Sequence, residues 1–180
     1  GTFVTLRELV EQVGADATRF VMLTRKNDAS LDFDFDKVLE QTKENPIFYV
    51  QYAHARICSV MRRATDIGVS VDDNTLAGSD LNSLGDSSEL SLAAKVAEFP
   101  RLVEIAARSN EPHRIAFYLY ELASDFHSLW NKGNDQPKLR FLQEEDPATS
   151  RSKIALIRCT AVVISTGLGI LGVTPAQEMR

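Results

Sequence analysis

At 180 residues the chain can bury one good core, with at most a small appended subdomain. Its 44% hydrophobic and 25% charged residues are ordinary for a globular protein and argue against a disordered chain. The net charge of −5 argues against a general phosphate-binding surface, because residues 66–100 hold seven acids against Lys95 alone, whereas residues 1–65 and 101–180 are nearly balanced and leave room for a localised nucleic-acid site.

In chain order, Thr5 and Glu8 form a capping box ahead of Leu6, Leu9, Val10 and Val13, and Gly14 ends this first helix. Asp16 is placed to cap a second helix carrying Phe20 and Leu23. Residues 31–36, LDFDFD, alternate like a strand, but no second strand-like run stands nearby to pair with them. They read as an extended connector with Leu31, Phe33 and Phe35 tucked into the core. A short helix over 36–44 follows.

The most informative stretch is Asn45–Gly68, NPIFYVQYAHARICSVMRRATDIG. Asn45 is the expected N-cap, Pro46 the first helical residue and Gly68 the stop. Ile47, Val50, His54, Ile57, Met61 and Ala64 recur at three- and four-residue steps, the core-facing stripe of an amphipathic helix. On the other side Tyr49, Tyr52, Arg56 and Arg63 share a row. Rings and guanidinium groups so aligned suit unpaired nucleobases, which bring a stackable face, polar edges and a phosphate. The same row also suits packing on another helix, and aromatics at helical spacing mostly do that.

Residues 69–86 are polar, acidic and glycine-punctuated, a long surface loop. Helix starts recur at Ser87 or Ser88, at Pro100 and at Pro112, the last running to Asn131 with Gly133 as its stop. A final helix spans about Ser150 to Leu171. Residues 159–177 carry no charge, but Thr160, Ser165, Thr166, three glycines and Pro175 make them too polar and too broken for lipid, so a buried helix is expected and no membrane partner. Cys58 and Cys159 read as two buried small side chains in a reducing cytoplasm. The expected fold is all-α, a helical bundle of about five principal helices with a short helical lead-in.

Three motifs imitate chemistry. Gly167–Gly172 matches G-x-G-x-x-G, but only eight residues follow where a dinucleotide fold needs a further helix and strand. Asp32-x-Asp34-x-Asp36 opens like a calcium loop, yet Lys37 and Lys43 stand where a Gly and a bidentate acid belong. His54 and Cys58 lie one turn apart with no second pair, since His113 and His127 are isolated; they read as a satisfied core histidine and thiol, so no metal site is expected. No catalytic residue is expected in this chain.

Residues 1–60 resemble the C-terminal third of bacterial-type arginyl-tRNA synthetases. A "DALR" motif opening the anticodon-binding domain is matched by Asp16-Ala17-Thr18-Arg19, with Thr18 in place of the usual leucine. QYAHAR in the long helix, ELASDFHSLWNKG, and the GLGILGVTPAQEMR finish are similar to the same family, so the likeness spans nearly the whole chain. The family's catalytic domain, with its HIGH and KMSKS-type ATP signatures, lies upstream. The resemblance implies a tail of the catalytic region at residues 1–14 and an anticodon-binding bundle at 15–180. It implies a cytoplasmic, monomeric parent that attaches arginine to its tRNA using ATP and Mg, with the catalytic domain in cis as the other partner; arginine activation requires bound tRNA. At matching positions it implies that Tyr49, Tyr52 and Arg56 touch splayed anticodon bases, that Phe126 and Trp130 face the same pocket, and that Met179 closes it. Two other readings stand beside it: the related bundle of the cysteine enzyme, against which QYAHAR and the Met finish argue, and a helical protein-interaction module using the Tyr–Arg row as a groove.

Overall fold

A computed structural model describes residues 5–25, 38, 40, 42–143 and 145–179. The expected LDFDFD connector, the calcium-like acids and residues 37, 39 and 41 of the expected 36–44 helix lie outside these residues; of the rest, Val38 is helical, while 42–44 form a bend and turn rather than the expected helix. Among the described residues all regular structure is helical: α1 (Leu6–Val13), α2 (Ala15–Leu23), α3 (Pro46–Asp66), α4 (Asp73–Ala77), α5 (Ser87–Ser109), α6 (His113–Asp135) and α7 (Pro147–Ile170), with 3₁₀ turns at Leu81–Ser83 and Pro137–Leu139. The four long helices α3, α5, α6 and α7 pack on one another, α2 lies across α3 and α6, and α1 rests on α2.

Local chemistry starts and stops these helices largely as the sequence predicts. The Thr5–Glu8 capping box opens α1, and Asn45 accepts the Phe48 amide at 3.3 Å with Pro46 in the first turn of α3. Phe20, Val50, Ile57, Leu92, Leu119, Leu122, Phe126, Leu129, Ile154, Ile157 and Ile164 are fully buried, so α2 and the four long helices together fill one core. Each such side chain contributes roughly 1.5–3 kcal/mol by leaving water.

Several expectations are corrected. No helix starts at Pro100, which sits inside α5. The ring is exposed, so the carbonyl left without its amide partner faces the solvent side, while Leu92, Phe99 and Ala106 hold the helix to the core on the other side. Gly133 does not end α6, which runs on to Asp135; it makes room for the backbone of Leu139 and Arg140, which would lie 3.4 Å from a Cβ there. The 69–86 loop folds into α4 and a 3₁₀ turn, anchored by buried Leu76 and Leu84 and by Arg158 on Asp73 at 2.7 and 3.0 Å. α7 begins at Pro147, three residues early, capped by Asp146. Cys58 is half-buried and Cys159 exposed, and both are free thiols.

The long apolar helix α7 has length and composition for a membrane span, but most of its apolar window is buried within the bundle. Gly167 lies where a Cβ would stand 2.8 Å from Leu119, the close packing expected of that glycine run. Gly172, at φ 70°, then turns the chain back into a C-terminal strap over 173–179. The strap explains the Asp16 position: the side chain does not cap α2 but accepts the Thr174 amide at 2.9 Å, and Arg19 donates to the Gly172 carbonyl. Along α3 the strap meets Gln51, which bonds Thr174 and Ala176 at 2.8 and 2.7 Å, then His54, whose Nδ1 donates to the Ala176 carbonyl at 2.7 Å. Cys58 and Arg62 hold Gln177 further along.

Candidate nucleic-acid interface

The α3 row and one stripe of α6 face each other. With about 100° per residue, Tyr49, Tyr52, Arg56 and Arg63 fall on one flank of α3 beside the core stripe. Tyr120, His127 and Trp130 share a stripe of α6, at steps of seven and three. Where they meet, the Arg56 guanidinium carbon stands 4.1 Å from the Tyr52 ring centre and 4.8 Å from that of Trp130. Its Nη2 donates to the Tyr52 hydroxyl at 2.9 Å and its Nη1 approaches His127 Nδ1 at 3.1 Å. Tyr52, Arg56 and Trp130 are each half-buried, so the sandwich is built into the surface and still reachable.

His127 is the enclosed centre of this group, 3% exposed. Its ring lies 4.4 Å from Tyr49, 5.6 Å from Tyr52 and 5.5 Å from Phe126. Nε2 is 3.2 Å from the Tyr49 carbonyl, which only accepts, so Nε2 carries the proton and Nδ1 is left to accept from Arg56. Burial pushes the imidazole pKa down to about 4, against the bond to the Tyr49 carbonyl, with the Arg56 charge adding to the fall. Burial likewise raises the Tyr49 phenol.

The depressed value has a measurable consequence. On unfolding His127 returns to about 6.5, so between the two values the unfolded chain takes up a proton the folded chain refuses. Its contribution is complete above about pH 6.5 and is lost as pH falls toward 4, by up to about 3 kcal/mol. Denaturant midpoints at about pH 7 and about pH 4.5 check this: the wild type should lose distinctly more stability than His127→Gln. Equal losses would refute it.

The sequence-derived site residues separate into four settings. Tyr52, Arg56 and Trp130 come together at the surface. Tyr49 is half-buried against Tyr120, 5.3 Å away, and His127, and so backs the sandwich. Phe126 is corrected from pocket to core: at 0% exposure it stacks on Phe141 at 5.8 Å and 7° between planes and offers no face to a ligand. Met179 is half-buried at the end of the strap, whose contacts Gln51, His54, Cys58 and Arg62 follow the other flank of α3.

Sequence reasoning missed three members. Phe48 stacks on Tyr52 at 5.6 Å and 23°. His127, which has no metal-ligand partner in the sequence, lies three residues before Trp130, a spacing that could have placed it on the same stripe. Arg140, brought close by the 3₁₀ turn, joins Arg63, Trp130, Asn134 and Phe141 around a cleft of about 290 Å³, with nothing local in the sequence to signal it. The cleft continues the Arg56–Trp130 surface and adds two cations to its rim. Among the described residues no group of His, Cys, Asp or Glu is arranged to hold a metal ion.

Comparison with known proteins extends this geometry. An arginine–tRNA ligase of Ruegeria pomeroyi is 69% identical over 180 residues, which is 100% of this chain and 31% of the relative. One from Cereibacter sphaeroides is 70% identical over the same shares. The chain therefore spans about a third of the length of these curated relatives. Among solved structures, the Thermus thermophilus arginyl-tRNA synthetase aligns with a TM-score of 0.77 at 28% identity, over 98% of this chain and 28% of that one. Residues 50–179 match the family described as the DALR anticodon binding domain. That match runs from Val50, within the helix bearing the tyrosine–arginine row, to Met179 at the end of the strap, and so takes in both helices of the sandwich and the elements that support them. The chain belongs to the DALR anticodon-binding domain family.

Proposed function

We propose that this chain is the tRNA-gripping part of an arginine–tRNA ligase and binds the anticodon loop of arginine tRNA on the Tyr52–Arg56–Trp130 face. The observation that carries the reading is the guanidinium held between two half-buried rings beside the Arg63 and Arg140 cleft. Unpaired bases stack on such rings, contributing roughly 1–3 kcal/mol each with little sequence preference. Base-edge hydrogen bonds from Arg56 supply discrimination, and the rim cations hold phosphates in a salt-dependent way. Tyr49 and Phe126 support the surface from behind; Met179, expected to close it, ends the strap on the other flank of α3 and is left out of this face.

In the same reading, residues 15–180 form the anticodon-binding bundle and 1–14 continue from a catalytic domain in cis. That domain joins arginine to tRNA in the cytoplasm using ATP and Mg, in a monomeric enzyme. The high identity to arginine–tRNA ligases along the whole chain supports this parentage over that of the cysteine enzyme.

The test is Tyr52→Ala. Because Tyr52 is half-exposed, the variant should keep its fold, while affinity for an RNA hairpin carrying an arginine anticodon loop falls by roughly 1–3 kcal/mol. A large drop in melting temperature with affinity per folded molecule unchanged would return the row to ordinary helix packing. A protein-interaction groove would show no salt-sensitive binding of the hairpin at all.

A further inference from the structure

We infer that His127 is a positioning residue for Arg56: as the neutral Nε2–H tautomer it fixes the guanidinium between Tyr52 and Trp130, so that the remaining Arg56 N–H donors meet a base in one orientation. The inference rests on the anticodon-loop reading above for the identity of the ligand, and on geometry alone for the positioning.

The Tyr49 carbonyl at 3.2 Å takes the single ring proton of His127, which leaves Nδ1 as a lone-pair acceptor 3.1 Å from Arg56 Nη1. A buried neutral acceptor is what an arginine needs there. A carboxylate in that position would draw the guanidinium inward and neutralise it, and a second donor would repel it. Tyr52 completes the fixing, since its hydroxyl oxygen accepts from Nη2 at 2.9 Å. Of the five N–H groups of Arg56, these two bonds use two and leave three. The Tyr52 hydroxyl, having accepted, keeps its own proton to donate. What Arg56 has left to offer a base is therefore donors only, with the Tyr52 hydroxyl proton beside them. A rigid donor pair is matched by bases with two adjacent acceptors, as on the guanine O6/N7 edge, and is mismatched by adenine, whose acceptors sit beside an amino donor. His127, 3% exposed, is too enclosed to meet a base itself and acts through Arg56.

Two near-isosteric substitutions separate positioning from packing. In His127→Asn the amide oxygen falls near Nδ1 and keeps the Arg56 acceptor, while the bond to the Tyr49 carbonyl is lost. In His127→Gln the amide nitrogen falls near Nε2 and keeps the Tyr49 bond, while the acceptor for Arg56 is lost. The expected outcome is crossed. Asparagine lowers the melting temperature more, yet retains hairpin affinity and preference for the arginine loop over an all-adenosine loop. Glutamine melts closer to the wild type but binds about tenfold more weakly and loses that preference, the scale of one charge-assisted hydrogen bond. Affinity that tracks stability across the two variants, or equal affinities, would overturn the inference. Trp130 is the only tryptophan, so its emission reports the stacked guanidinium without any RNA. Emission should change in the glutamine variant and stay as in the wild type in the asparagine variant, and no difference between them would overturn the positioning role. If wild-type protein binds no hairpin, the anticodon reading falls, and Trp130 emission still decides what His127 does to Arg56.

Discussion

Replacing Glu89 with alanine is expected to destabilise the bundle by about 3–5 kcal/mol, the usual penalty for stranding one member of a buried ion pair. Glu89 and Lys153 are each 3% exposed and bonded to each other at the junction of α5 and α7. Glu89 also accepts the Gly85 and Asp86 amides at 3.2 and 3.1 Å, closing the capping box of α5. Asp86 in turn binds Lys132 of α6 at 2.6 and 2.8 Å, which holds its carboxyl down at about 2. The start of α5 is thus tied to both neighbouring helices. Removing Glu89 leaves the Lys153 ammonium group, 3% exposed, inside the core without its paired carboxylate. Lys153→Met should cost less, because the Glu89 carboxylate keeps its two backbone donors. The pair Glu89→Gln with Lys153→Met, which removes both charges and keeps the capping oxygen, should recover much of the loss. Urea or guanidinium unfolding of these variants together with Glu89→Gln alone measures this, and strictly additive costs of Glu89→Gln and Lys153→Met in their combination would show that the two groups do not stabilise each other.

The second large effect is expected at Phe126. Truncation to alanine should cost about 3–5 kcal/mol, as for a fully enclosed aromatic whose neighbours cannot collapse into the space. For a domain of this size that corresponds to roughly 6–20 °C in melting temperature. Phe141 and Trp130 both rest on this ring, at 5.8 and 6.1 Å, so the loss also loosens the back wall of the Trp130 surface. Affinity per folded molecule should change far less than in Tyr52→Ala. The opposite pattern, a stable variant with weakened hairpin binding, would put Phe126 back among the base-contacting residues.

The sequence by itself determined what local chemistry controls. Thr5 with Glu8, and Asn45 with Pro46, open their helices because the bonds involved span three residues and need no tertiary partner. The apolar stripe of α3 and its flanking Tyr52–Arg56 row followed from helical period alone. Tertiary structure decided the rest wherever a side chain had two possible partners. Asp16 could cap a helix or hold the strap, and the amide of Thr174, 158 residues away, takes it. Gly133 could stop a helix or admit a crossing backbone, and the 3₁₀ turn at Leu139 selects the second. Pro100 is carried through α5 because burial on the opposite face outweighs one lost backbone bond. Phe126 and Trp130, four residues apart, look alike in sequence; the packing of Phe141 encloses one and leaves the other half-exposed. His127 shows the limit most directly. Its neutrality, its tautomer and its hold on Arg56 all depend on the Tyr49 carbonyl and on burial between two helices, and those exist only once α3 and α6 have met.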